Sequence, residues 1–545
     1  MGFVLVMNSC ETTDLDLTED PNALNPGDAS TNGYINSIQV DFGRLIASLE
    51  VEASETVRIL NMDGRVYQQA FSPVRFNEEW EDAYQKILTD VRRLIPLAEA
   101  EEEYHHIGMA QVIEAYVIVT LVDLFGDVPY EQAFQGADNF NPGVEGDGGA
   151  SVYAAALGLL DDAIENFERD ARTDPSDDLF YDGNWDNWIK AANSIKMKIY
   201  VTTRLVDSNA ASAFDDIVNS GNYIDETSED FQFPWGTSFN NPDARHPNYV
   251  SDYTPSGADT YMSNWYMDYM QSGKIGNGND VFEAADPRMK YYFYRQTDFI
   301  PNNPNLIDCA GSNPPGHYGA DDAYCSLDNG YWGRDHGDDA GIPPDGQLRT
   351  TFGVYPAGGR FDDNSFEVIA SISLGAGGNG ITPIMLASWT DIMRAEMALV
   401  DGAAGEANLL LQSGITKSFE KVRQFGTRDA SADFSTAPSV DLDAAYTREV
   451  GQLFAAADAD GQMDILGSEY FVTLFGNGLD GFNFYRRTGR PSTLQPNLER
   501  PSEVGDFFRS FLYPPVFVER NASVSQKTSV TDRVFWDPGT TLLAN

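Results

Sequence analysis

Residues 112–130 read VIEAYVIVTLVDLFGDVPY, and their pattern decides the fold class. Val112, Ala115, Tyr116, Val119 and Leu121 through Phe125 place apolar side chains on nearly every side of a helix, which is the signature of a buried one. Gly126 then supplies the left-handed residue that ends it. Upstream, Trp80, Tyr84, Ile87, Val91 and Leu94 step by four and three along one face of an amphipathic helix. Downstream, Tyr153, Leu157, Leu160, Ile164 and Phe167 predict a further helix, and Trp188, Ala192, Ile195 and Ile199 another. The pattern resumes at Met385, Trp389, Ile392 and Met393, continues from Leu409 to Val422, and recurs from Tyr446 to Leu474. Paired antiparallel helices joined by short turns suggest a mainly α, helical-repeat scaffold. No run of 18 or more uninterrupted apolar residues occurs, so no segment is read as crossing a bilayer.

Between Phe231 and Thr382 the helical period is lost, apart from a short piece at Tyr261–Met270, and Gly, Pro, Asn, Asp and aromatic residues take over. So long an irregular segment is functional or disordered, and its aromatic content favours ordered loops. Here lies the densest run of ligand-type residues: Tyr331, Trp332, Gly333, Arg334, Asp335, His336, Gly337, Asp338 and Asp339, followed by Arg349, Tyr355 and Arg360. An aromatic plate beside charged, planar hydrogen-bonding groups suits a sugar, whose C–H face packs on the ring while its hydroxyls pair at the edges. The other reading is structural: Tyr331 and Trp332 plug the loops onto the helices, and Arg334 and Asp335 form an internal ion pair.

The chain has 545 residues, of which 42% are hydrophobic, enough for one large core. Its 84 acidic against 35 basic residues give a formal charge of -49, which argues against nucleic acid and disfavours polyanions generally. Three cysteines occur. Cys309 and Cys325 lie in one irregular stretch without zinc-type spacing and are read as a disulfide, closing a loop of about 15 residues worth roughly 3 kcal/mol. Two free thiols are the alternative. Cys10 ends a short apolar run, Gly2 to Ser9, and opens an acidic stretch, the layout of a bacterial lipoprotein signal in which the thiol carries the lipid.

Other chemistry is weakly written. The five histidines, His105, His106, His246, His317 and His336, share no metal-ligand spacing. No nucleophile-elbow, P-loop or dinucleotide motif appears. Asp458, Asp460, Gln462, Asp464 and Glu469 echo an EF-hand loop, but Met463 stands where that loop needs glycine, so a helix-to-helix link capped by Asp458 or Asp460 is preferred. The reading therefore includes no metal and no cofactor.

Taken together, Cys10 with its acidic tether, the run Leu121–Tyr130, the helix Trp389–Glu396, the motif Phe484-Tyr485-Arg486-Arg487-Thr488-Gly489-Arg490-Pro491 and the ending Tyr513-Pro514-Pro515 through Trp536-Asp537 resemble the SusD/RagB family. The matches follow the same order along nearly the whole chain. The resemblance implies a SusD-like scaffold of tetratricopeptide-like helix pairs with a large irregular loop region carrying the ligand face. On that frame, residues 1–10 are a signal remnant, 11–40 a flexible tether and 41–545 a single domain, with scaffold at 78–230 and 383–545 and ligand-face loops at 231–382. It further implies an outer-membrane lipoprotein, facing the cell exterior, that captures a glycan without catalysis and delivers it to a SusC-like TonB-dependent barrel. Asp123 and Asp127 are expected to cap the turn, and Arg486 and Arg487 to satisfy buried carbonyls or carboxylates. The expected ligand contacts are Trp332 as platform, with Tyr331, Arg334, Asp335, His336, Arg65 and Tyr67; the last two sit in a stretch that the family places near the ligand face. The acidity favours a neutral glycan, such as a β-glucan. A peptide-binding member of the same superfamily and a secreted glycan hydrolase are the alternatives.

Mass spectrometry of membrane-extracted protein is expected to show an N-terminal peptide beginning at a diacylglyceryl-modified Cys10. An unmodified start at Met1 would contradict the lipoprotein reading.

Overall fold

A computed structural model describes residues 30–134, 143–272, 285–299, 301–320, 322–340 and 348–542; Cys10 lies outside them. The first helix, α1 (Thr31–Thr56), is capped by the Ser30 hydroxyl, which accepts from the Gly33 N–H at 3.1 Å. It buries Ile35, Ile38 and Gln39. The expected tether of 11–40 is therefore corrected: residues 31–40 belong to the scaffold, because their apolar positions have a core to pack on. A helical run through Asn77–Glu81 and the π-helical Asp82–Leu88 leads into α2 (Thr89–Ala100).

Helices α3 (Tyr104–Phe125), α4 (Gly149–Phe167), α5 (Trp185–Thr203) and α6 (Ala210–Ser220) follow, each packed on its predecessor. Helix α7 (Asn264–Ser272) lies within the irregular region. After that region come α8 (Ala387–Val400), α9 (Ala404–Gly426), α10 (Val440–Ala456), α11 (Ala459–Thr473) and α12 (Gly478–Thr488). Again sequence neighbours pack together, α8 on α9, α9 on α10 and α10 on α11, while α5 against α8 and α1 against α12 join the two halves. The scaffold is mainly helical, as expected. By length and composition α3 could cross a membrane, but it is wholly buried here.

Burying α3 on all sides also buries its acid Asp123. Three distant segments satisfy it: the Tyr153 hydroxyl and the Trp536 indole N–H (2.9 Å) donate to Oδ1, and the Asn483 amide donates to Oδ2 at 2.6 Å. Burial nonetheless pushes its pKa above the usual carboxylate value. Asp123 is thus an interior hub and not the turn cap expected of it. Asp127 accepts from the Gly149 N–H at 2.9 Å, at the start of α4. The double arginine behaves as expected. Arg486 donates to the Arg509 carbonyl at 2.5 Å, and Arg487 makes a two-pronged pair with Glu396 at 2.9 and 2.8 Å.

The EF-hand-like stretch is a helix start. Asp458 caps α11 by accepting from the Gly461 N–H, and Glu469 is buried against Arg288 (2.7 Å) and the Tyr446 hydroxyl (2.6 Å). Among the described residues no group of three or more His, Cys, Asp or Glu could hold a metal.

The irregular region is clamped where it leaves and rejoins the scaffold. Strand β1 (Phe231–Pro234) pairs antiparallel with β4 (Ile381–Met385), from Phe231 opposite Met385 to Pro234 opposite Ile381. Between them, β2 (Phe293–Tyr294) pairs with β3 (Thr351–Phe352). The Cys309–Cys325 disulfide is formed. Asp335 then ties three segments together: its Oδ2 accepts from the Cys325 N–H at 2.7 Å, and its Oδ1 accepts from the Asn264 and Gln495 amides, each at 3.1 Å. Burial raises its pKa to about 6.

Asp123→Ala leaves three buried donors without an acceptor, so it should cost about 3 kcal/mol or more in urea denaturation; a loss under about 1 kcal/mol would remove the hub role. Asp335 is raised in the folded state, so its ionisation costs stability above pH 6, a cost relieved as pH falls toward 4. Asp335→Asn should therefore lower the thermal midpoint less at pH 8 than at pH 5, and an equal or reversed difference would contradict the raised pKa.

Candidate ligand site on the loop layer

The residues singled out from sequence mostly face inward. Trp332 is 1% exposed and packs with Ile307, Ala310 and Cys325, flanked by Cys309, Tyr324 and Leu348. Its backbone is fixed by an N–H donated to the Thr350 hydroxyl at 3.0 Å. The next residue passes tightly over another segment, since a Cβ on Gly333 would sit 1.9 Å from the Met262 carbonyl oxygen. As a sugar platform Trp332 is corrected: both ring faces are covered by protein. Tyr331 is buried beside Phe293 and under the Arg295 guanidinium.

Arg334, Asp335 and His336 are also buried. Arg334 pairs with Asp338 at 2.8 Å and not with Asp335, whose oxygens are taken by neutral donors. Tyr67 is buried too; its hydroxyl accepts from Arg58 at 2.8 Å and lies 3.3 Å from His336 Nε2. Burial holds the imidazole pKa well below its usual value, with the Arg58 charge adding to it. These five side chains and Trp332 anchor the loops to the helices, the structural alternative of the two readings. The same holds for Arg349, stacked on Tyr261, for Tyr355 against Tyr292, and for Arg360, paired with Glu367 at 2.6 Å.

Arg65 differs. Its side chain is 42% exposed, pairs with Asp339 (41% exposed) and reaches Glu499 at 3.2 Å. This ionic group adjoins the disulfide loop. His317 Nε2 bonds the Asn497 carbonyl at 2.9 Å, two residues from Glu499, and the Leu498 N–H donates to the His336 carbonyl. Tyr318 lies edge-on to His317 with ring centroids 5.2 Å apart, and to Tyr324 at 6.2 Å. All three rings are half-buried, and the Tyr318 hydroxyl is turned inward, buried without a hydrogen-bond partner among the described residues, so that only part of its ring is open. Half-open rings beside a guanidinium and two carboxylates make a surface that can stack on a flat apolar face and bond to hydroxyls around it.

Arg65 was named from the sequence as a ligand contact; its neighbours His317, Tyr318 and Glu499 were not. The available signal was a His-Tyr pair at the middle of a disulfide-closed loop, whose two ends are pinned.

Comparison with known proteins bears on the fold. The family model described as "SusD-like_2: Starch-binding associating with outer membrane" matches residues 56–310. No curated protein matches significantly. Among solved structures, a SusD/RagB family protein from Bacteroides thetaiotaomicron is 16% identical with a TM-score of 0.63, over 94% of this chain and 100% of that one. A chitin-binding SusD homologue from Flavobacterium johnsoniae is 16% identical with a TM-score of 0.62, over 93% and 98%. A SusD homologue from Bacteroides uniformis is also 16% identical, with a TM-score of 0.60, over 92% and 99%. The family model spans residues 56–310, and the fold of these SusD homologues runs through more than nine-tenths of the chain.

Proposed function

We propose that this protein is a lipid-anchored glycan receptor of the outer cell surface, which captures an oligo- or polysaccharide and passes it to a SusC-like TonB-dependent transporter. The observation that carries the reading is that the half-open rings Tyr318, His317 and Tyr324 of the disulfide-closed loop lie beside the ionic group Arg65, Asp339 and Glu499 contributed by other segments. Tyr318 is the stacking platform, and Arg65 the principal hydrogen-bond donor. Support for a sugar comes from the matched family's description as starch-binding and from the chitin-binding relative.

The role is binding, with no chemical step assigned. A charge of -49 repels polyanions at long range, so the main ligand is a neutral glycan, with a β-linked glucan preferred. Lipid on Cys10 supplies the anchor, and the barrel supplies passage.

Native affinity electrophoresis of the lipid-free protein against neutral β-glucans, α-glucans, mannans and a peptide digest tests this. One neutral glycan should retard the wild type. Tyr318→Ala and Arg65→Ala should weaken that retardation at least tenfold with little change in thermal midpoint, whereas Trp332→Ala should lower the midpoint. Binding to the digest alone would turn the reading to peptide capture, and retardation unaffected by either variant would move the site.

A further inference from the structure

A second cavity lies away from the Arg65 group, where the C-terminal end of α9 meets β1 and the short 3-10 turn Thr227–Glu229. Its volume is about 430 Å3, within the usual ligand-pocket range of about 300–1,000 Å3. Lysine, arginine, glutamine and hydroxyl side chains line it, Lys421, Arg428, Gln232, Gln424, Thr227 and Thr427 among them, and no carboxylate does. In a chain with 84 acidic residues that exclusion is a specific feature of the site.

The two cations differ in what they have to spare. Lys421 is buried and spent: it donates to Asp230 at 2.6 Å and to Gln232 at 2.5 Å. Arg428 is not. One of its terminal nitrogens donates to the Asn379 carbonyl (2.9 Å) and side-chain oxygen (3.0 Å), and its plane lies 4.0 Å from the centroid of the buried Phe425 ring. No carboxylate among the described residues lies within ion-pair distance of it. Partial burial without a counter-charge lowers its pKa, yet guanidinium stays protonated at neutral pH. The stacking and the Asn379 clamp hold the fork still, so its remaining N–H groups are pre-oriented toward a planar anion. The carbonyls at the end of α9 also favour a cation there, but that role alone calls for neither a cavity nor an acid-free lining.

We infer that this cavity is a second sugar subsite, specific for a carboxylate-bearing residue, a hexuronic acid, whose carboxylate pairs with Arg428 while Gln232, Gln424 and Thr427 bond its hydroxyls. The inference extends the glycan-receptor reading: the captured glycan has a neutral backbone for the Tyr318 face and uronic acid substituents for this one. Long-range repulsion by the rest of the protein keeps such a site selective for isolated carboxylates and closed to dense polyanions.

The test uses free glucuronate, with glucose as the neutral control, so that its outcome does not depend on any polysaccharide. Saturation-transfer NMR should detect glucuronate on the wild type and not glucose, and the signal should weaken with salt. Arg428→Gln should abolish it, Arg428→Lys should retain part of it, and Tyr318→Ala should leave it intact. As an independent readout, phenylglyoxal modification of Arg428, mapped by peptide mass spectrometry, should be slowed at least fivefold by glucuronate. Glucuronate binding that survives Arg428→Gln, no binding by the wild type, or unprotected Arg428 would each overturn the inference. Loss of polysaccharide retardation in Tyr318→Ala tests the main site separately.

Discussion

A carboxylate inside an otherwise apolar helix sets the terms of this fold. Helix α3 is buried along its length, and Asp123 goes in with it. An isolated buried carboxylate is untenable, so the structure has to bring donors to it. They come from α4, from α12 and from Trp536 near the C-terminus, 413 residues away in sequence. Satisfying one side chain thereby fixes how the two halves of the scaffold and the terminal segment close around α3. Arg486 extends the arrangement, since it bonds Asn483 at 2.6 Å and lies over the Trp536 ring. Arg487 and Arg204 both pair with the buried Glu396.

The loop layer solves a different problem, ordering a long segment with little secondary structure of its own. Conformational entropy of that size needs many fixed points. The β1–β4 pair closes the base, the disulfide closes one inner loop, and Asp335 links that loop to α7 and to Gln495. Aromatic and charged side chains are then consumed as internal ties. The middle of the disulfide loop and the Arg65 group beside it are among the parts the ties leave accessible.

Much of the scaffold was legible from spacing, because helical period survives in each segment independently of its partners. The wrapped apolar pattern of residues 112–125 announced a buried helix, and the Gly126 stop falls where it was read, with φ at +84°. The double arginine was legible because two cations in an apolar stretch demand partners. Of the residues named from sequence, Arg65 is left partly exposed, and the Cys309–Cys325 disulfide is formed. Trp332 was not placed, since a tryptophan in a loop looks the same on a surface as under one. Its burial depends on Ile307 and Ala310 and on the close pass of Gly333 over Met262, contacts separated by up to about 70 residues. Periodicity carries no information on such contacts. Tyr318 was overlooked for the converse reason: the partial opening of its ring depends on how its neighbours are tied down, not on its own surroundings in sequence.

The account makes the disulfide loop the receiving surface and the tryptophan beneath it a support. Hydrogen exchange of the protein with and without a saturating glycan ligand addresses that division most directly. The account predicts slowed exchange at residues 312–320 and 61–68, with the already protected amides around Trp332 unchanged. Protection confined to other faces of the molecule, with the disulfide loop exchanging as in the free protein, would contradict it.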